Sequence, residues 1–373
     1  MTPPTRRRAL LTALAVTGLA AVVVLVGRAS DSRPAAPSVA PARAATPAVQ
    51  AAAVVRPPEP AGPAPRGVPA DAEPAARARP RIPAPLGPRA AEEYRRRARY
   101  PRSSQPLDPD GDDPIARDQE VTPVRGSGPN GADPTLVVFP ARSNFEAPET
   151  AVLYATLMVG DHEVPAVDIR GTVVTEKLEP LGEVEYHDDG LGGDAVANDL
   201  VYTAVFRPDA IPALSQSYMV QVRAVAGRDE ERLAASSFLY SNPHAFLTGQ
   251  YADALADGSL AVDAELEVLA AGRFHLQATL YSADGTQKLV WAQSAAALEP
   301  GRQWMRLSFY GLGLRERGVD GPYLLRYVAL ATTTDMPNAR NRVTENAYVT
   351  GRYATASFTD QPFNDPDLLE AAR

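Results

Sequence analysis

The 373-residue chain contains no cysteine, which excludes disulfide bridges, thiolate metal ligands and thiol nucleophiles. It also lacks the short motifs of common enzyme classes: the Gly-x-Ser-x-Gly nucleophile turn, the His-Glu-x-x-His zinc pair, the phosphate-binding loop and the dinucleotide fingerprint. Its four histidines stand in unrelated sequence contexts. The sequence therefore predicts a protein without catalytic activity.

Aromatic residues and positive charge are also scarce. Aromatics make up 7% of the chain, the formal net charge is −8 and the pI is near 5.2. Nucleic-acid-binding domains carry a basic face, so this balance argues against nucleic acid as a partner. The sequence marks no small-molecule substrate. We interpret Trp291 and Trp304 as core or strand-packing residues; the alternative is a platform for a ligand. The expected partner is a protein or a cell-envelope polymer.

One long apolar run, residues 9–26, follows three consecutive arginines. Eighteen helical residues span about 27 Å, close to the thickness of a bilayer's hydrocarbon core. The positive flank predicts that the N-terminus lies in the cytoplasm and the rest of the chain outside it. We predict that residues 1–29 form a cytoplasmic tip and a transmembrane anchor in the bacterial cytoplasmic membrane, with the C-terminal domains in the periplasm or outside. The alternative is a cleaved signal peptide ending near Ala29, which makes the protein secreted.

Residues 30–133 are predicted to form a disordered linker, rich in proline, alanine and arginine, and a transition segment. Such a composition buries too little apolar surface to offset the entropy of the chain. Dense proline makes a semi-rigid spacer of about 3.1 Å per residue. In the transition segment, residues 92–99 favour a short helix, and Tyr94 and Tyr100 are candidates for docking on the domain that follows.

Short alternating or β-branched segments, separated by turn residues, fill the chain after residue 134. About seven such strands in roughly 105 residues are typical of an immunoglobulin-like sandwich. We therefore predict an all-β fold with two tandem immunoglobulin-like sandwiches, residues 134–242 and 243–360. The short joint between them, Ser241–His244, predicts a fixed angle. In the acidic tail, residues 361–373, Asp365 is placed to cap a short helix.

An acidic, glycine-rich loop lies between two alternating segments, residues 183–188 and 201–206. This pattern predicts a hairpin whose loop is held by more than a two-residue turn. Calcium binds six to eight loosely arranged oxygens, and glycines permit the backbone angles that bring such ligands together. The alternative is a turn capped by its own side chains, without an ion. The candidate calcium ligands are Asp188, Asp189, Asp194, Asn198 and Asp199.

Two parts of the chain resemble known modules. The loop, with its runs Asp188-Asp189-Gly190, Gly193-Asp194, Asn198-Asp199 and Val201-Tyr202-Thr203, resembles that of immunoglobulin-like modules in bacterial surface proteins of the choice-of-anchor-X type. It is also similar to a loop in the calcium-activated chloride-channel regulator family. Those loops usually read Asp-Gly where this chain has Asp199-Leu200; because leucine tolerates positive φ poorly, we expect a different second half of the turn. Residues 307–311 and 318–325 are similar to the last strands of a companion sandwich.

The resemblance implies display or binding modules with no shared reaction. With the anchor and linker, it predicts a non-enzymatic, membrane-tethered bacterial envelope protein that presents two modules for binding or scaffolding, stabilised by calcium. Two alternatives remain open: a purely structural accessory subunit of a larger envelope complex, and a secreted carbohydrate-binding module, which requires exposed aromatic side chains.

Overall fold

The computed structural model describes residues 87–126, 133–227 and 230–372. All of them belong to one compact unit, Arg77–Arg373. The predicted cytoplasmic tip, membrane anchor and most of the proline-rich linker, residues 1–86, lie outside the described residues. Within the described ranges, no helix combines the length and the apolar character needed to cross a membrane.

β-strands make up 51% of the structure and helices 11%, which confirms the predicted all-β class. The helices are α1 (Pro88–Ala98), α2 (Pro114–Arg117), α3 (Gly311–Arg317) and α4 (Pro366–Ala371). The strands that precede the joint are β1 (Ser104–Pro106), β2 (Val124–Gly126), β3 (Thr135–Pro140), β4 (Asn144–Glu146), β5 (Ala151–Val159), β6 (His162–Val164), β7 (Asp168–Thr175), β8 (Pro180–Glu185), β9 (Tyr202–Phe206), β10 (Gln216–Ala226) and β11 (Glu230–Ser241). Those that follow it are β12 (Ala245–Ala256), β13 (Ser259–Val268), β14 (Gly272–Ser282), β15 (Lys288–Leu298), β16 (Gly301–Phe309), β17 (Tyr323–Thr332), β18 (Ala339–Arg340) and β19 (Thr344–Val349).

The first sandwich consists of two sheets around one core. One sheet has the order β4-β11-β10-β7-β8, and the other has the order β2-β3-β5-β6 with β9 paired to β5. Successive residues of strand β10 point to opposite faces of the sheet, so Tyr218, Val220 and Val222 point into the core. Leu153 of β5 and Phe238 of β11 pack in the same core.

The second sandwich encloses a separate core. Its sheets have the orders β12-β13-β16 and β1-β15-β14-β17-β18, with β19 paired to β17. Leu260 and Leu266 of β13, Phe274 of β14 and Phe309 of β16 are fully buried in this core. Each strand again places alternate residues inside, and the apolar period of two decides which face is covered.

The segment before residue 134 belongs to the folded region. Strand β1 pairs antiparallel with β15 of the second sandwich, and β2 pairs with β3 of the first. The structure thus differs from the predicted boundary, because Tyr100 is buried, and so are Leu107 and Ile115, which stand among prolines and acidic residues. Docking of Tyr100 is a prediction of the sequence, whereas Leu107 and Ile115 are too far apart to form a helical or strand period, so the sequence pattern does not show them.

The predicted hairpin around the acidic loop is wrong. Strand β8 pairs with β7 and strand β9 pairs with β5, so the two segments lie in opposite sheets. They touch through one bridge, in which the backbone N–H groups of His187 and Thr203 donate to each other's carbonyls at 2.9 and 2.8 Å. Alternation shows that a segment is a strand with one buried face, but it does not show which strand is its partner.

Hydrogen bonds cross between the sandwiches around the joint. The backbone N–H of Arg340 donates to Ser241 Oγ at 3.0 Å, and that of Arg342 donates to Glu146 Oε2 at 2.9 Å. The side chain of Asn144 donates to the carbonyl of Arg340 at 3.0 Å. These hydrogen bonds join the two modules beside the short joint, and the fixed angle between the modules stays a prediction.

Candidate functional site

The acidic loop, residues 187–200, is tied together by its first aspartate. Asp188 Oδ1 accepts from the backbone N–H of Asp199 at 3.1 Å, and its Oδ2 accepts from that of Leu200 at 3.0 Å. Leu200 has φ 66°, so the leucine adopts the left-handed conformation that it tolerates poorly, and the expected difference from the resembling loops stays a prediction. The two hydrogen bonds to Asp188 offset the strain of this conformation.

A second capping group lies in the middle of the loop. Asp194 is 9% exposed; its Oδ2 accepts from the backbone N–H of Gly190 at 2.7 Å, and its Oδ1 accepts from that of Val196 at 3.4 Å. Asp189 and Asp199 each accept from the backbone N–H two residues further on, at 2.9 and 3.0 Å. These are the local side-chain bonds that stabilise turns.

The five predicted calcium ligands lie in one loop but in separate groups. Asp188, Asp194, Asp189 and Asp199 each have a carboxylate oxygen bonded to backbone N–H groups, and Asn198 donates its own backbone N–H to the carbonyl of Asp188 at 3.3 Å. In the part of the chain that the structure describes, no three His, Asp or Glu side chains form a group that could hold a metal ion. The hydrogen bonds are those of a capped turn, and calcium binding stays a prediction.

In the second sandwich, the carboxylate of Asp253 connects β12 to β19 and to the chain that follows β19. Asp253 of β12 accepts hydrogen bonds from the hydroxyls of Tyr348 and Tyr353 and from the backbone N–H of Gly351. The hydrogen bond to Asp253, together with burial, raises the pKa of Tyr348 to about 12. Burial and then the same carboxylate raise the pKa of Tyr353 to about 12. This network joins β12 to β19 and to the chain that follows it.

The segments before the first sandwich and after the second one form what we call the clasp, residues 88–106 with residues 363–371. The guanidinium of Arg102 donates to both oxygens of Asp365 at 2.9 and 3.0 Å. The backbone N–H of Asp365 donates to the carbonyl of Ala98 at 2.8 Å, and that of Phe363 donates to the carbonyl of Arg99 at 2.8 Å.

Asp365 has a second role in the clasp. It caps α4, as predicted, by accepting from the backbone N–H groups of Asp367 and Leu368. The hydrogen bonds from Arg102 lower the pKa of this carboxyl below its ordinary value of 3.8. One carboxylate therefore both starts the helix and ties it to the preceding segment.

The second sandwich exposes the side chain of Trp304, a residue interpreted from the sequence as a core or strand-packing residue. Trp304 of β16 is 50% exposed and points away from the core. Arg302 and Arg306 lie on the same face of the strand, because residues two apart share a face. The signal was present in the sequence: Trp304 is in phase with these two arginines rather than with Met305 and Leu307, which are buried.

Comparison with known proteins gives a family match for part of the chain. A family model described as the C-terminal domain of DUF4785, a domain of unknown function, matches residues 244–344. This range lies inside the second sandwich. No curated protein matches the chain. The resemblance to choice-of-anchor-X and chloride-channel regulator modules stays a prediction.

Three solved structures match parts of the chain at low sequence identity. A DUF4785 family protein from Legionella pneumophila is 16% identical with a TM-score of 0.41, and the match covers 61% of this chain and 58% of that one. Dimeric latent PorU from Porphyromonas gingivalis is 11% identical with a TM-score of 0.19, covering 66% and 21%. The outer capsid protein Hoc of bacteriophage RB49 is 7% identical with a TM-score of 0.21, covering 65% and 90%. At TM-scores of 0.41 and below, none of these similarities supports a functional argument.

Proposed function

We propose that this chain is a non-enzymatic, membrane-tethered protein of the bacterial envelope that presents two immunoglobulin-like modules to a binding partner. The observation that carries the proposal is the clasp. The clasp attaches the segment after the proline-rich stretch to the second sandwich. The attachment consists of the pairing of β1 with β15 and the hydrogen bond from Arg102 to Asp365. A tether that enters a folded region at a fixed point is what a display protein needs.

The clasp and the joint lie at opposite ends of the second sandwich. Strand β12 begins beside the joint, where Ala245 pairs with Val268, and it ends where Ala256 pairs with Ser259. At that far end, Ser104 of the clasp accepts from the backbone N–H of Tyr310, the residue after β16. The ten residues of β13 separate the two ends by about 30 Å, at roughly 3.3 Å per residue.

This arrangement sets the order of the modules relative to the tether. The first sandwich precedes the second in the chain, yet it is attached at the end of the second sandwich that is remote from the clasp. Under the proposal, the first sandwich is therefore held farther from the membrane than the second. A partner approaching from outside reaches residues 134–242 first.

Fractionation of cells that produce the full chain tests the tether. We expect the protein in the membrane fraction after washing with high salt and alkaline carbonate, because an eighteen-residue apolar helix of about 27 Å stays in the bilayer. A variant without residues 9–26 is the matched control and should be absent from that fraction. Recovery of the full chain in the cytosol contradicts the proposal.

The calcium part of the proposal has its own test. Thermal melting of the full chain is compared in calcium and in chelator, because a ligand at about 100 times its Kd stabilises the folded state by about 2.7 kcal/mol. If calcium binds the acidic loop, Asp194→Ala removes the calcium-dependent shift. An identical midpoint in calcium and chelator removes calcium from the account and leaves the capped turn.

A further inference from the structure

The first sandwich turns one face of a sheet outward. Neighbouring residues of a strand point to opposite faces, so the residues that alternate with the core residues Leu153, Ala155 and Ala204 lie on the outside of the sheet β2-β3-β5-β6 with β9. The described elements that contact these strands most are other strands of the first sandwich. We call this surface the outer face. Its apolar residues are Val137, Phe139, Val152, Tyr154, Met158 and Val205.

The acidic loop adds exposed aliphatic side chains to the outer face. Gly193, with φ 107°, lies against this face: a Cβ at its position would stand 3.4 Å from Val205 Cγ1 and 3.7 Å from Val152 Cγ2. Leu191 and Val196, on either side of Gly193 in the chain, are 70% and 56% exposed, and Val205 is 44% exposed. Apolar side chains that are grouped on a surface and bordered by polar groups mark interaction sites.

Carboxylates border the outer face. Within the described residues, the four aspartates of the loop accept hydrogen bonds from backbone N–H groups and form no ion pair, so they keep their charge. Glu163 of β6 lies on the face itself, opposite Met158. Two arginines adjoin the face, Arg125 of β2 opposite Val137 and Arg207 after β9. Five carboxylates against two guanidinium groups give the outer face a net negative charge.

The composition of the outer face disfavours three other ligands. Phe139 and Tyr154 pack against each other, with ring centroids 5.3 Å apart and planes at 45°, so they present no flat platform to a sugar ring. Anionic lipid carries charge of the same sign as this face. A second copy brings another set of carboxylates to the interface, and like charges in contact lower affinity.

We propose that the outer face binds a segment of a partner protein in which lysine or arginine residues flank apolar side chains. The apolar side chains of that segment cover Val205 and Leu191, and their burial supplies the attachment. Its basic side chains lie over the exposed carboxylates of Asp189, Asp199 and Glu163. Opposite charges speed association and suppress wrong partners. The inference rests on the proposed binding function and names both the face and the chemistry of its partner.

Site-specific photo-cross-linking in cells that produce the full chain tests this inference. Val205 is replaced by p-benzoylphenylalanine; the control carries it at Leu233, which is 62% exposed on β11 of the opposite sheet. We expect a light-dependent adduct with another protein from Val205 and not from Leu233. Mass spectrometry should map the adduct to a segment with lysine or arginine beside apolar residues. A second variant, with the photoreactive residue at the exposed loop position Leu191, should give the same adduct.

The second arm removes charge from the loop and keeps its turns. In the double variant Asp189→Asn with Asp199→Asn, the amide oxygens still accept from the same backbone N–H groups. The loss of two exposed charges should lower the yield of the adduct roughly threefold or more. The control is Glu176→Gln with Glu179→Gln, which removes the same charge from the exposed turn between β7 and β8 and should leave the yield unchanged. Chelator should not lower the yield, because calcium bound to the loop cancels part of its negative charge.

Any of the following results overturns the inference: no adduct from Val205 and Leu191, equal yields from Val205 and Leu233, an adduct with lipid, glycan or a second copy, or an adduct segment without basic residues. A yield that chelator lowers, or that falls no further in the aspartate variant than in the glutamate control, overturns it as well. Failure of the tether is recognised separately, because the adduct then forms with a chain that does not sediment with membranes.

Discussion

Replacing Ile115 by alanine tests whether the segment before the first sandwich is part of the fold. Ile115 lies in the one-turn helix α2, is 1% exposed and packs next to β17 of the second sandwich. Truncation of a buried isoleucine to alanine costs about 2–5 kcal/mol, which combines lost burial with the cavity that remains. A short surface helix can partly collapse into the gap, so we expect about 2–3 kcal/mol.

Tryptophan fluorescence follows this effect selectively. The chain has two tryptophans, Trp291 and Trp304, and both are in the second sandwich. Urea slopes for small domains are about 1–3 kcal/mol per molar, so the fluorescence midpoint should fall by about 1 M. Leu269→Ala is the control, because Leu269 is 61% exposed beside the same core and its truncation should change stability by less than about 0.5 kcal/mol. Equal midpoints for Ile115→Ala and Leu269→Ala refute the assignment of α2 to the fold.

Three further substitutions test the clasp, the side network and the acidic loop. Because Arg102 lowers the pKa of Asp365, this carboxylate stabilises the clasp above about pH 4, and the contribution is lost as the pH falls. Arg102→Ala should therefore accelerate hydrogen exchange in α4 at neutral pH. Unchanged exchange contradicts the stabilising role of this ion pair. Asp253→Asn should return the pKa of Tyr348 from about 12 towards 10, and absorbance at 295 nm should then show ionisation at lower pH. In the wild type, the raised pKa of Tyr348 stabilises the fold below pH 10, and this contribution is lost as the pH rises through 12. Asp188→Ala leaves two backbone N–H groups of the loop without their acceptor and should cost about 1–3 kcal/mol in a calcium-free thermal melt, whereas a change within about 0.5 kcal/mol contradicts the capping role.

The strands of both sandwiches could be read from the sequence because their cores follow simple alternation. Strand β10 is an example: Tyr218, Val220 and Val222 are buried and alternate with the less buried Met219 and Gln221, over a run that both the pattern and the structure assign as strand. The pairing of strands could not be read in the same way. Strands β8 and β9 are neighbours in the chain but lie in opposite sheets, and nothing in their alternation distinguishes a hairpin from a crossing between sheets.

The segment 87–126 was only partly predictable. The helix near residues 92–99 was predicted and α1 is present, and Tyr100 was predicted to dock and is buried. Strand β1 has three residues, one of them proline, which is too short for any period to appear. Its structure depends on the edge that β15 offers, and that edge exists only after the second sandwich has folded.

The acidic loop shows the limit of composition as a guide to ligands. Four aspartates and one asparagine within twelve residues suit a calcium site, but the same side chains also satisfy the backbone of a turn with positive φ at Asn198 and Leu200. Composition alone does not separate the two uses. The hydrogen bonds from backbone N–H groups to these carboxylates show the capped turn, which only the folded structure reveals, and calcium binding stays a prediction.

Limited proteolysis of intact, outward-facing membranes that carry the full chain tests the central claim most directly. The account predicts that protease cuts within residues 30–86 and releases one fragment that begins before Gly87, contains both sandwiches and resists further digestion. A released fragment that begins near residue 134, or a full chain that is never held by the membrane, contradicts it.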